Sequence, residues 1–558
     1  MGAKEDIIAA LTADGEFELA EDVATGYPMR VYKNAPRSLR DVFVATSVHA
    51  DRTHAIYGDE ALTFADLHAK AASLAHYLLD EGVRKGDRVG IAMRNYPEWI
   101  VGFWACQAIG AVVVALNAWW TAAELVLTLE DSEPKALIVD GERLERLLQL
   151  PAAAVPPRLI VARRGGAPAE GRDLADVVAL GADRLPAAVI EPEDLSTILY
   201  TSGTTGRSKG AVATHRNHVT NLMNTLLSRA VTMRMMGVPD GAPSPQVATL
   251  HTLPFFHIGG ITSMYVGAAT GVKMALMYRW NPAEAVELVE KHGLQSVSGV
   301  PIVVRQLLET ASASGKTLGS LMSVAAGGAP VPPELIRRIA SQVGARASPG
   351  CAYGLTETTA TVIKNDGEDY LANPGSIGRP VPTADIRVVD DEGRDVAPGE
   401  VGEIWCRGPN VNVGYWANPE ATQASFGGGW FKSGDLGYQD ADGLYYVVDR
   451  KKDIIIRGGE NVYCAEVEAA ILEHPRIRDA AVIGLPDAVY GEQVAAVLQI
   501  EPGADPGAVE RELAEDLVRR LARFKIPVSY RITDQELPRT ASGKLLKREI
   551  RTSFFELA

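Results

Sequence analysis

Apolar and polar positions alternate between two rhythms over the first 340 residues of this 558-residue chain. Short, almost uninterrupted apolar runs recur: "DRVGIAMRN", "PKALIVD", "RLIVARR", "VATLHTLPFF" and "VKMALMY". Runs of that length are expected of strands buried on both faces. "NPAEAVELVEKHG" reads as a helix opened by Asn-Pro and closed by Gly, and "LQSVSGV" as the strand after it. The alternation predicts α/β layers with mostly parallel sheets. After Tyr353 the texture changes to short β runs broken by Gly and Pro, which predicts a smaller β unit. From about Asp453 a third pattern starts. "NVYCAEVEAAILEHPRIRDAAVIGLPD" reads as helix then strand, and "PGAVERELAEDLVRRLARFK" as a long charged helix. Residues 162–190 and 228–247 read as surface loops. No internal repeat or low-complexity tract interrupts the order.

The segment from Trp99 to Ala123 carries no charge and by length alone could span a membrane. Gln107, Asn117 and two glycines break it. A buried helix over "YPEWIVGFWACQAIG", with Pro in its first turn and Gly110 at its end, followed by the strand "AVVVALN", accounts for it without a membrane.

A net charge of -15 disfavours nucleic acid and anionic membranes as partners. Four well-separated cysteines, with no CxxC, fit free thiols in a reducing compartment. The acidic N-terminus does not read as a signal peptide, so the expected location is cytoplasmic.

The chemistry concentrates first in "YTSGTTGRSKG", residues 200–210, which follows the apolar run "LSTILY". Gly203 and Gly206 allow backbone N–H groups to turn inward. Thr201, Ser202, Thr204 and Thr205 add hydroxyls, and Lys209 adds a positive charge. Such a loop cradles phosphates. Neither GxxxxGK[ST] nor GxGxxG occurs, which disfavours a P-loop kinase or a dinucleotide-binding dehydrogenase. Downstream, "YGLTET" sets Glu357 beside Thr356. A carboxylate near a phosphate loop is a natural Mg²⁺ ligand, because Mg²⁺ takes few protein oxygens and bridges to substrate phosphates.

With "LPFFHIGG" (253–260), "GGAP" (327–330), the run 429–462 that contains "KSGDLG" and "DRKKDIIIRGGENV", and "LPRTASGKLLKREI" (537–550), these motifs stand in the order that resembles the adenylate-forming superfamily. The resemblance covers nearly the whole chain and points to the acyl-CoA synthetases.

It implies a large N-terminal domain of layered α/β subdomains over 1–450, with a β subdomain at about 360–450. A small, mobile α+β C-terminal domain over 451–558 would follow, hinged near Lys452. It implies ATP, Mg²⁺ and coenzyme A as cofactor and co-substrates, a small-molecule carboxylic acid as partner, and no integral membrane segment; a homodimer is compatible with it. Lys544 would be the catalytic lysine and Glu357 the metal ligand. Thr356 would meet the α-phosphate, Tyr353 and Gly354 the adenine side, and Asp435 the ribose hydroxyls with Arg450 beside it. Residues 201–206 and Lys209 would hold the phosphate chain. Gly328, Ala329 and Pro330 would complete the nucleotide site. His257, Gly299, Val300, Gly327 and Gly354 would line the acyl pocket, with His257 as lining and not as a base. Gly458, Gly459 and Glu460 would face the thiol acceptor after rotation. No carrier sequence follows the Lys544 motif, which favours a free-standing CoA ligase. A carrier-loading acyl-AMP ligase, a luciferase-like oxygenase and an inactive binding homologue remain alternatives. The acid stays open among fatty, aryl and polycyclic classes.

Overall fold

The computed structural model describes residues 3–24, 26–201, 208–239, 245–329, 331, 333–343, 348–541 and 543–556. Two large sheets carry the first part of the chain. The first has eight strands in the order Gly414–Tyr415, Lys209–Thr214, Leu195–Thr201, Val112–Ala115, Arg88–Ala92, Ala136–Asp140, Leu159–Ala162 and Arg172–Asp173. From Leu195–Thr201 onward its neighbours are parallel, and Lys209–Thr214 is antiparallel to both of its neighbours. The second has nine strands: a parallel centre with antiparallel edges at Glu60–Thr63 and at Ile363–Asp366 and Arg379–Pro380.

The uncharged run is a helix, Pro97–Ile109, followed by the strand Val112–Ala115. Pro97 occupies the first turn, and Gly110 ends the helix at φ 71°, the left-handed position that glycine fills without steric cost. Trp99, Phe103 and Trp104 are fully buried. One continuous core joins them to Ile91 and Val113 of the first sheet and to Met274 and Leu276 of the second. A helix clamped between layers is apolar on every side. No helix among the described residues is long and apolar enough to cross a membrane.

The span 228–247, expected as a loop, begins as helix. The helix His215–Met235 is opened by Thr214 and Asn217, which cap each other's backbone, and continues until Gly237 at φ 72° permits the reversal. Its last turns face solvent on most sides, so they lack the apolar stripe that would mark them. Within 162–190, a short strand Arg172–Asp173 and a turn of helix Leu174–Val178 bury Leu174 and Val177. The long helix near the end stops at Arg520, because Leu521 turns extended.

A third sheet takes strands from Asp385–Val389 to Tyr445–Arg450. A fourth takes strands from residues 455–533, covered by the helices Cys464–Leu472 and Pro506–Arg520 around their own apolar core. The four cysteines are free and buried.

One buried ion pair anchors the first sheet. Arg143 Nη1 stands 2.9 Å from Asp140 Oδ2, their side chains 1% and 3% exposed. Asp140 also caps the helix Gly141–Leu147. Arg143→Met should leave that carboxylate unpaired in the interior, at about 3–5 kcal/mol. A lowered thermal midpoint, partly restored by adding Asp140→Asn, is the expected result of differential scanning fluorimetry.

Candidate active site

The glycine-rich loop leaves the first sheet between two paired strands. Leu195–Thr201 runs antiparallel to Lys209–Thr214, with Thr201 opposite Lys209, so the ladder pins both ends of the loop. Ser202, Gly203, Thr204, Thr205 and Gly206 lie outside the described residues, as does Pro330. Lys209 Nζ stands 5.1 Å from the ring centroid of Tyr415.

Glu357 sits in the 3₁₀ turn Thr356–Thr358, just past strand Ser348–Tyr353. The chain then doubles back through Thr359 and Ala360 at φ 45° and 69°. Non-glycine residues seldom enter that region, at a cost of order 1–3 kcal/mol each. Side chains of a neighbouring segment hold the reversal. Thr359 Oγ1 donates to Asn412 Oδ1 at 2.7 Å, and Asn410 Nδ2 donates to the carbonyls of Thr358 and Thr361 at 2.9 and 3.1 Å. A Cβ at Gly354 would fall 1.5 Å from the Ala360 carbonyl oxygen. Glycine is needed there for close backbone approach, whatever else it lines.

The Glu357 carboxylate is buried, and its Oε1 accepts from Tyr415 Oη at 2.8 Å. Its second oxygen has no hydrogen-bond partner among the described residues. A single carboxylate with an uncommitted oxygen beside a phosphate loop fits Mg²⁺. No group of three or more potential metal-ligating His, Cys, Asp or Glu side chains occurs among the described residues. The described residues therefore form no closed cage of such ligands around Glu357.

Asp435 lies on the strand Trp430–Gln439, opposite Arg450. Its Oδ2 accepts from Tyr353 Oη at 2.8 Å, and its Oδ1 pairs with Arg450 Nε at 3.0 Å. Burial first, then the Asp435 charge, push the Tyr353 phenol well above its ordinary pKa, so it stays a donor. An ionised carboxylate has about four acceptor positions. The remainder can take the two hydroxyls of a ribose.

Lys544 enters this group from the C-terminal unit. Gly543, at φ 86°, lies against Val300: a Cβ there would be 2.6 Å from Val300 Cγ2. The turn is closed by Gly543 N donating to Thr540 O at 2.8 Å. Lys544 is open to solvent yet surrounded by protein, as befits a side chain in a cleft. Desolvation lowers its pKa, Arg450 lowers it further, and Asp435 and Glu357 oppose them. His257, ahead of the helix Ile258–Ala269, is pushed down to about 4 by burial and then by Lys544. Its Nε2 is buried without a hydrogen-bond partner among the described residues. A neutral imidazole so hard to protonate lines a pocket better than it abstracts protons.

Gly299 and Gly327 end adjoining parallel strands, with Gly299 opposite Ala326 and Gly327 opposite Ala352. Gly328, at φ 76°, and Ala329 follow, and a Cβ at Gly328 would be 3.6 Å from Val300 Cγ1. These residues and His257 therefore converge toward the Lys544 loop. Gly458, Gly459 and Glu460 do not join them. They form an exposed hairpin tip on the fourth sheet, with Gly458 N donating to Tyr490 O at 2.8 Å. Lys452 is exposed in the turn closed by Asp453 N and Arg450 O at 2.9 Å.

Tyr415, Asn410 and Asn412 escaped sequence reasoning. The available signal was "PNVNVGYW", where amides alternate with apolar residues. Such alternation reads as an ordinary edge strand until its partners are known.

The AMP-binding enzyme family model matches residues 43–416, and the model of the AMP-binding enzyme C-terminal domain matches residues 466–544. The chain is 34% identical over 503 residues to the 2-succinylbenzoate–CoA ligase of Bacillus licheniformis, covering 90% of this chain and 96% of that one. It is 37% identical over 500 residues to the feruloyl-CoA synthase of an Amycolatopsis species, covering 89% and 95%. Among solved structures, the o-succinylbenzoate coenzyme A synthetase of Bacillus subtilis in complex with ATP and magnesium ion superposes with a TM-score of 0.77 at 30% identity, covering 91% and 99%. The expected family is confirmed: this chain belongs to the AMP-binding, adenylate-forming enzymes and, within them, to the AMP-forming acyl-CoA synthetases.

Proposed function

We propose that the cleft between Glu357, Asp435, Arg450, His257 and Lys544 adenylates an aromatic or other hydrophobic carboxylic acid and then passes the acyl group to coenzyme A. The observation that carries this reading is Lys544, which comes from the C-terminal unit and shares one electrostatic environment with Arg450, Asp435 and Glu357 of the other.

A carboxylate is a poor acyl donor, because its leaving group would be oxide. In the first half-reaction its oxygen attacks the α-phosphorus of ATP, and the bond to pyrophosphate breaks. Asp435 and Arg450 fix the ribose, Tyr353 borders the adenine, and the loop 201–209 grips the outgoing phosphates. Thr356 donates to the α-phosphate. Glu357 would hold Mg²⁺, which when bound neutralises charge on the phosphate chain. Lys544 stabilises the charge that spreads between carboxylate and α-phosphate. In the second half-reaction the C-terminal unit turns about Lys452, withdraws Lys544 and brings Gly458, Gly459 and Glu460 inward. The thiol of coenzyme A then attacks the acyl carbon, and AMP leaves.

The small residues Gly299, Gly327 and Gly328 leave room for a ring, and the relatives named for 2-succinylbenzoate and ferulate support an aromatic acid. The test is pyrophosphate release across fatty, aromatic and polycyclic acids, with and without coenzyme A. Release with aromatic acids, sustained only when coenzyme A is present, is the expected result. Release that never depends on coenzyme A would favour a carrier-loading ligase. Silence with aromatic acids would overturn the substrate reading.

A further inference from the structure

Tyr415 stands between two groups to which the reading above assigns work. It lies on the two-residue strand Gly414–Tyr415, paired to the strand that opens with Lys209, with Tyr415 opposite Ala211. Its hydroxyl donates to Glu357 Oε1 at 2.8 Å, and its ring face receives the Lys209 ammonium at 5.1 Å. The ring itself has little freedom. Phe426 meets it edge-on at 5.6 Å, and Tyr415 N donates to Thr422 Oγ1 at 2.9 Å. Trp416 N donates to Gly210 O at 2.8 Å, which locks the edge strand to the arm of the phosphate loop.

We propose that Tyr415 is a positioning residue that sets Glu357 for the metal ion and Lys209 for the phosphate chain at once. The hydroxyl engages one carboxylate oxygen and leaves the other free for the metal. The ring offers its electron-rich face to an ammonium that would otherwise swing on four methylenes. This inference rests on the assignment of Glu357 to magnesium.

The test is calorimetric binding of β,γ-methylene-ATP to the full-length protein, in Mg²⁺ and in EDTA, with AMP as a control. In Tyr415→Phe, which keeps the ring, the tightening produced by Mg²⁺ should shrink by about tenfold, the effect of one hydrogen bond to a charged group. AMP affinity should stay unchanged. In Tyr415→Leu, which removes the ring as well, affinity in EDTA should also fall. Glu357→Gln separates the two levels of the argument. If it leaves the Mg²⁺ effect intact, the magnesium assignment fails, and the inference falls with it. If it abolishes the effect while Tyr415→Phe does not change it, the magnesium assignment stands and positioning by Tyr415 is overturned. An equal loss of AMP affinity in Tyr415→Phe would mark a structural role and overturn it too.

Discussion

Lys544→Ala should slow adenylate formation by about two to three orders of magnitude, the usual effect of removing one positioned charge from a transition state. Thioester formation from pre-made acyl-adenylate should be nearly untouched, because the proposed rotation withdraws Lys544 before that step. Two assays separate the outcomes: pyrophosphate release from ATP and acid, and AMP release from synthetic adenylate and coenzyme A. Equal losses in both would remove the proposed role. The alanine variant also bears on pH. Desolvation and Arg450 depress the pKa of Lys544, so its cationic form is lost, as pH rises, earlier than that of an exposed lysine. The first half-reaction should therefore decline on the alkaline side below the usual lysine range. The residual rate of Lys544→Ala should lack that decline.

Lys452→Pro should have the opposite signature. Lys452 is exposed and is not among the non-glycine residues with positive φ. Its N–H makes no hydrogen bond among the described residues. A proline ring fixes φ near -65° and removes the donor, and so prevents the backbone rotation that the second arrangement requires. Adenylate formation should continue, while thioester formation falls by about two orders of magnitude, as expected when reacting groups are kept out of register. If both half-reactions survive, the pivot lies elsewhere along 450–453.

How much of this could be read without coordinates varied with the range of the interactions. The strand runs were legible because a strand covered on both faces must be apolar throughout. The helix Pro97–Ile109 was legible from Pro97 and Gly110, whose preferences are local. The end of the helix His215–Met235 was not, because solvent-facing turns carry no apolar stripe. Glu357, Asp435 and Lys544 could be named from short motifs. Nothing near them in sequence discloses that Tyr353 and Arg450 divide the two oxygens of Asp435, or that Tyr415 takes one oxygen of Glu357.

The sequence by itself determined the strand runs, the mostly parallel sheets and, through six ordered motifs, the family. Each depends on residue types and spacings that act over a few positions of chain. Tertiary structure alone decided which groups meet. Tyr353 reaches Asp435 across 82 residues and Tyr415 reaches Glu357 across 58. The Gly543 turn settles on Val300 from the far end of the chain. The physical reason is that a hydrogen bond or an ion pair depends on distance and direction in space. Those are set only when separate layers pack, and no periodicity along the chain encodes them.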